Sequence, residues 1–263
     1  MSVKEKYWVV TDIDGTLMDH AYDLSPALPT INLLRDLGIP VIPCTSKTAA
    51  EVRSLRKEIG SSDPYIVENG GAIYGSNENS LDEWELVLGR SYKELRGLLD
   101  NLSVKIGYPL RALNDLSKKE IEALTGLKPK SISLALQREW SVPFLNPPES
   151  DRKKLGEMAN KIDLTIYKGN RMSHLLSKGS DKGEAVIKLK KFLKQPDIKI
   201  IALGDSQNDL PLLEIADYPV VVPGKEGPNR FLLDGIKNNK FSLAPAPHSE
   251  GWSLAIKKII NGI

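Results

Sequence analysis

The sequence predicts an α/β protein: a Rossmann-like parallel sheet core interrupted by an inserted α+β domain. Three observations carry this. Short apolar runs alternate with amphipathic helical stretches toward both ends of the chain. Polar residues follow several of those runs directly, at the carboxyl rim where a parallel sheet binds its ligands. The middle, from about Trp84 to His174, changes texture, with weaker periodicity and a proline-rich stretch.

The elements follow in order. YWVVTD (7–12) is a β-rich run, SPALPTINLLRDLG (25–38) has apolar residues at helical spacing and ends on Gly38, and IPVIPCTS (39–46) is again strand-like. This is a βαβ unit. TAAEVRSLRKEIG (48–60) reads as the next helix and PYIVENGGAIYG (64–75) as strand, turn and strand. WELVLG (84–89) reads as a strand opening the insertion, followed by helices over SYKELRGLLDNLS (91–103) and SKKEIEALTG (117–126). VPFLNPPES (142–150) reads as a loop between helical stretches, and residues 162–177 as a β-hairpin turning at Gly169 and Asn170. Parallel architecture then returns with a helix over 180–195, a buried strand over 198–205, a short helix over 208–216 and a strand over 218–224. The expected division is 1–82 and 177–263 for the core and 83–176 for the insertion.

Composition restricts the partners. With 36 basic and 34 acidic residues the formal charge is +2, too small a field to suggest nucleic acid or an anionic membrane. A small-molecule partner is expected. Cys44 is the only cysteine, which excludes an intrachain disulfide and favours a reducing, cytoplasmic setting; it reads as a small buried strand residue. No apolar stretch is long enough to span a bilayer and no secretory leader is visible.

Four motifs stand in order along the core. They are Asp12-Ile13-Asp14-Gly15-Thr16 after the first strand, Thr45 after the second, Lys182 opening a later helix, and Gly204-Asp205-Ser206-Gln207-Asn208-Asp209 after a further strand. Each alone has a plain structural reading: a turn for Asp-Gly, a solvated helix residue for Lys182, a cap or supporting carboxylate for Asp209. Together they resemble the haloacid dehalogenase superfamily, over about two thirds of the chain.

The resemblance implies phosphoester hydrolysis through an aspartyl phosphate. Asp12 would be the nucleophile, since carboxylate attack divides the breakdown of an inert ester into two steps. Magnesium is the implied cofactor, with Asp12, Asp14 through its backbone carbonyl, Asp205 and Asp209 as candidate ligands. Thr45 and Lys182 would bind the transferring phosphoryl group, and Asp14 would protonate the leaving oxygen and later deprotonate water.

An α+β insertion at this point of the chain looks like the cap of the sugar-phosphatase branch. Five segments are similar to mannosyl-3-phosphoglycerate phosphatases: TSKTAAEV (45–52), ENGGAIY (68–74), QREWSVPF (137–144), GNRMSHLL (169–176) and APAPHSEGW (244–252). That resemblance implies a glycosyl phosphoglycerate, or another phosphorylated sugar, facing Ser46, Lys47, Asn69, Gly70 and Asn208 on the core. On the cap it implies Arg138, Arg171 and His174, the arginines clamping a carboxylate or hydroxyl. Salt bridges within the cap and a packed hairpin histidine are the other readings of those three. Val142 and Met172 depart from the family pattern where the sugar would be read. Sucrose-phosphate phosphatase and phosphomutase activities stay open. A receiver-like phosphoacceptor is disfavoured because its aspartate follows a middle strand, and a sensor without turnover because the carboxylates are intact.

Overall fold

The computed structural model describes residues 6–76, 82–169 and 171–263. The core opens with β1 (Tyr7–Thr11), α1 (Leu28–Asp36), β2 (Val41–Pro43), α2 (Ala49–Ile59), β3 (Tyr65–Val67), β4 (Ala72–Ser76) and β5 (Glu83–Val87). The cap elements are α3 (Tyr92–Ile106), a 3-10 turn at Leu113–Asp115, α4 (Lys118–Thr125), α5 (Pro129–Ala135), β6 (Val142–Phe144), α6 (Glu149–Asn160), β7 (Leu164–Lys168) and β8 (Ser173–Ser177). The core resumes with α7 (Lys182–Phe192), β9 (Lys199–Gly204), a 3-10 turn at Gln207–Asp209, α8 (Leu210–Glu214), β10 (Tyr218–Val221), α9 (Leu233–Lys237), β11 (Ser242–Leu243) and α10 (His248–Ile260).

Several helix starts are written into the chain as capping boxes. Thr48 with Glu51, Ser91 with Glu94, and Ser117 with Glu120 each satisfy the free backbone donors at the starts of α2, α3 and α4. The main sheet has the order β11-β10-β9-β1-β2, with every neighbouring pair parallel. Apolar clusters cover both faces: Val9, Leu34 and Trp252 belong to one, Val10, Val186 and Leu212 to the other. Burial on both sides is why these strands read as continuous apolar runs. It also leaves the strand ends as the exit for polar side chains.

Two expectations change. The strand expected to open the insertion pairs antiparallel with β4, in a sheet of order β3-β4-β5, and its Trp84 and Leu86 pack on the core. The segment read as a proline-rich loop starts as β6, an edge strand beside β8 in a sheet of order β6-β8-β7. An edge position tolerates Pro143, whose missing N–H costs little there. The hairpin turn includes Asn170, which lies outside the described residues. Among the described residues no helix is long and apolar enough to cross a membrane.

Candidate active site

The floor of the site is the carboxyl rim of β1 and β9. After β1 the chain turns sharply: the N–H groups of Thr16 and Met18 both donate to the Ile13 carbonyl, at 3.3 and 2.9 Å. Gly15 is required there twice over. Its φ is +84°, and a Cβ would stand 2.8 Å from Oδ2 of Asp205. Across the turn Thr16 donates its hydroxyl to Oδ1 of Asp205 at 3.1 Å. After β9, Oδ2 of Asp209 accepts the backbone N–H groups of Asp205 and Ser206, at 3.0 and 2.9 Å, and so shapes its own loop.

Lys182, the first residue of α7, is wholly buried. Its Nζ donates to Oδ1 of Asp12 at 2.8 Å and to Oδ1 of Asp209 at 2.5 Å. Burial works against this ammonium, but Asp12 and Asp209 more than offset it and raise its pKa. One cation does not balance the site. Asp12, Asp205 and Asp209 each place a carboxylate oxygen within a 4.8 Å group. Burial pushes Asp12 up to about 6, with Lys182 opposing and Asp209 assisting; Asp205 is pushed well up by burial, then by Asp209 and Asp12. Three crowded carboxylates against one ammonium make a donor set suited to a hard divalent cation, so the site fits a metal. Both oxygens of Asp209 are engaged by protein donors, which leaves Asp12 and Asp205 as the side chains best able to ligate.

The second wall comes from the loop after β2. Thr45 is wholly buried; its N–H donates to the Ile66 carbonyl and its own carbonyl accepts from Asn69 N–H, at 3.0 and 2.8 Å. Lys47 reaches Oδ2 of Asp14 at 2.8 Å and Glu51 at 3.5 Å; burial opposes the ammonium, but these carboxylates raise its pKa overall. Asn208 donates to Oδ1 of Asn69 at 2.9 Å, joining the loops after β9 and β3. Gly70 departs from expectation. It does not line the cavity, and a Cβ on it would stand 2.3 Å from the Asp181 carbonyl, so it lets the chain pass under the start of α7. Cys44 is buried as expected, with burial pushing its thiol far up.

Between floor and cap lies a cavity of about 530 Å³. Asp12, Asp14, Ser46, Lys47, Asn69 and Asn208 face it from the core, and Arg138, Arg171 and His174 face it from the cap. Arg138 is more than a wall residue. Its guanidinium donates to the Ala135 carbonyl at 3.1 Å and, across the cleft, to the Ser46 carbonyl at 2.6 Å, so it ties cap to core rather than bridging within the cap. Arg171 is exposed and donates one N–H to the Thr125 carbonyl at 2.6 Å. Nδ1 of His174 is sealed from solvent and has no hydrogen-bond partner among the described residues; burial, then Arg138 and Lys182, lower its pKa to about 3. Met172 lines the cavity, whereas Val142 packs into the cap's apolar cluster and does not.

Glu68 was missing from the expected set. Its buried carboxylate accepts the N–H groups of Glu139 and Trp140 and the hydroxyl of Ser141, at 2.9, 3.2 and 2.6 Å, fastening a cap segment to the core. The signal was a lone charge ending the apolar run Tyr65–Val67. His20 and Tyr22 also face the cavity from the stretch after the aspartate motif, where no pattern marks them. Tyr167 stands opposite His174 in the hairpin register and faces it too.

The profile of the haloacid dehalogenase-like hydrolases matches residues 9–106 and 141–224. A glucosyl-3-phosphoglycerate/mannosyl-3-phosphoglycerate phosphatase of Persephonella marina is 35% identical over 269 residues, covering 97% of each chain. One of the same name from Methanococcoides burtonii is 35% identical over 272 residues, again covering 97% of each. The sucrose-phosphatase of Synechocystis, solved with sucrose and phosphate, shares the fold at a TM-score of 0.62 and 19% identity, covering 98% of each chain. With a parallel sheet that ends in clustered carboxylates beneath an inserted cap, the chain belongs to the haloacid dehalogenase-like hydrolase family and is a phosphatase.

Proposed function

We propose that this phosphatase hydrolyses mannosyl-3-phosphoglycerate, or its glucosyl analogue, to the glycosylglycerate and inorganic phosphate. The observation that carries the chemistry is Asp12, held 2.8 Å from a buried Lys182 and facing a cavity of about 530 Å³. Relatives 35% identical over 97% of the chain support the choice of substrate. The exposed guanidinium of Arg171 on the cavity wall suits a glycerate carboxylate.

In the first step a carboxylate oxygen of Asp12 bonds to phosphorus and the ester P–O bond breaks, its electron pair leaving with the glycerate oxygen. Asp14 gives that oxygen a proton. In the second step water attacks the phosphorus of the aspartyl phosphate, Asp14 takes up the proton released, and phosphate departs with Asp12 regenerated. Lys182 holds Asp12 in line, and Lys47 fixes the direction of the Asp14 side chain. Thr45, buried just past β2, would offer its hydroxyl to a phosphoryl oxygen. Magnesium, held by Asp12, Asp205 and the Asp14 backbone carbonyl, would screen the anionic ester from its carboxylate nucleophile. Asp209 acts through its loop and Lys182. Arg138 keeps the cap seated. We place the enzyme in the cytoplasm, a reading supported by its single buried free cysteine.

The test is phosphate release from glucosyl- and mannosyl-3-phosphoglycerate, sucrose 6-phosphate and hexose phosphates, with magnesium and with chelator. Magnesium-dependent release that is fastest from a glycosyl phosphoglycerate is expected. Preference for sucrose 6-phosphate would overturn the substrate assignment, and a requirement for a sugar bisphosphate would make the enzyme a mutase.

A further inference from the structure

The segment APAPHSEGW leads into α10, whose first turn reaches the catalytic turn from below. His248 and Trp252 are four residues apart, hence on one helix face, and both are buried. Nδ1 of His248 lies 3.0 Å from the Gly15 carbonyl. A carbonyl only accepts, so Nδ1 carries the proton. Nε1 of Trp252 donates to the Thr11 hydroxyl at 3.0 Å, and that hydroxyl donates to the Asp12 carbonyl at 2.7 Å. One helix face thus holds both ends of the arc Asp12–Gly15, which carries the two aspartates of the reaction.

His248 is placed with some strain. Its φ is +50°, a region costly for most side chains. Its own N–H donates to the Pro223 carbonyl at 3.2 Å, and Gly251, where a Cβ would stand 1.7 Å from the Ala246 carbonyl, lets the chain fold tightly beneath it. Hydroxyls of Ser253 and Thr30 pair between α10 and α1, so the helix itself is anchored. His248 does not line the cavity, although its ring meets that of His20, which does, edge-on at 5.0 Å.

We propose that His248 is a positioning residue: by donating to the Gly15 carbonyl it sets the turn that aims Asp14 at the leaving oxygen. This rests on the reading of Asp14 as the proton donor. The consequence is a dependence on the leaving group. An alkoxide needs the proton as the ester breaks, whereas p-nitrophenolate leaves without it.

The test measures kcat/KM, which reports the steps through ester cleavage, for glycerol phosphate and p-nitrophenyl phosphate. His248→Gly keeps the left-handed backbone and removes the donor; His248→Asn keeps a donor near the Nδ1 position and tolerates that backbone. We expect His248→Gly to lose roughly ten- to a hundredfold on glycerol phosphate but no more than about threefold on p-nitrophenyl phosphate, with a cooperative melt retained. His248→Asn should return to within about threefold of wild type on both esters. Asp14→Asn should show the same split, only larger. Equal losses on the two esters in His248→Gly, or failure of His248→Asn to recover hydrolysis of glycerol phosphate, overturn the proposal while Asp14→Asn still splits them. Equal losses in Asp14→Asn overturn the proton-donor reading and the proposal with it.

Discussion

The two walls of the cavity are built differently. On the core side, charged groups are held mainly by one another: Lys182 by Asp12 and Asp209, Lys47 by Asp14 and Glu51. On the cap side, Arg138 and Arg171 are held by backbone carbonyls of Ala135, Ser46 and Thr125, and His174 has a ring nitrogen with no partner among the described residues. A buried network of opposite charges loses much when one member goes, since the rest are left uncompensated. A guanidinium bonded to a carbonyl keeps donors to spare. The floor is therefore the more tightly coupled of the two walls, and the cap wall keeps hydrogen-bonding capacity unused by the protein.

The largest test of that contrast is on the floor. Asp205→Ala removes a candidate ligand and should cut turnover by at least about a hundredfold on every ester, with magnesium affinity weakened in calorimetry. Unchanged magnesium affinity would break the assignment of the floor as a metal site.

The cap should respond unevenly. Arg138→Ala strips a donor from the neighbouring Ala135 carbonyl and, across the cleft, from that of Ser46, and leaves Glu68 without the cation 4.0 Å away. It should lower stability by about 1–3 kcal/mol and slow all esters together. Arg171→Ala should leave the melt unchanged and lose roughly ten- to a hundredfold on glycosyl phosphoglycerate alone, p-nitrophenyl phosphate being spared. A loss shared by both esters in Arg171→Ala would make that arginine structural too.

The smallest effect concerns His174. Its folded pKa, about 3, lies below the usual histidine value near 6.5, because burial and then Arg138 and Lys182 disfavour the imidazolium. Between those values the unfolded chain binds the extra proton, so the contribution to stability is complete above about pH 6.5 and is lost as pH falls. The limit is about 1.4 kcal/mol per pH unit. His174→Gln lacks this dependence, so its stability difference from wild type should change by up to about 2 kcal/mol in its favour between pH 7 and pH 5, read by urea titration. An identical difference at both pH values would show that the imidazole is not sealed.

Much of this was legible in the chain, for physical reasons. Strands buried on both faces leave apolar runs, and the residues just past them, Asp12, Thr45 and Asp205, mark the rim. What pattern does not carry is partnership. The run Glu83–Val87 reads correctly as a strand, but only its register with β4 assigns it to the core side. Val142–Phe144 is three residues long and contains a proline, so it reads as loop until β8 is beside it. Gly70 and Glu68 sit in one short segment, ENGGAIY, yet one is a close-approach glycine and the other a clasp across the cleft, a difference set by contacts distant in sequence. The tie from Arg138 to the core is hidden for the same reason: its core partner, Ser46, lies 92 residues away.

The most direct measurement is the site of phosphorylation. Wild-type enzyme mixed with substrate and magnesium, quenched in acid within the first turnovers and reduced with borohydride, should carry homoserine at residue 12, located by fragment mass spectrometry. Asp12→Asn, treated identically, should carry none and release no phosphate. Reduction at Asp14, Asp205 or Asp209 instead, or steady turnover by Asp12→Asn without reversion to aspartate, would contradict the account.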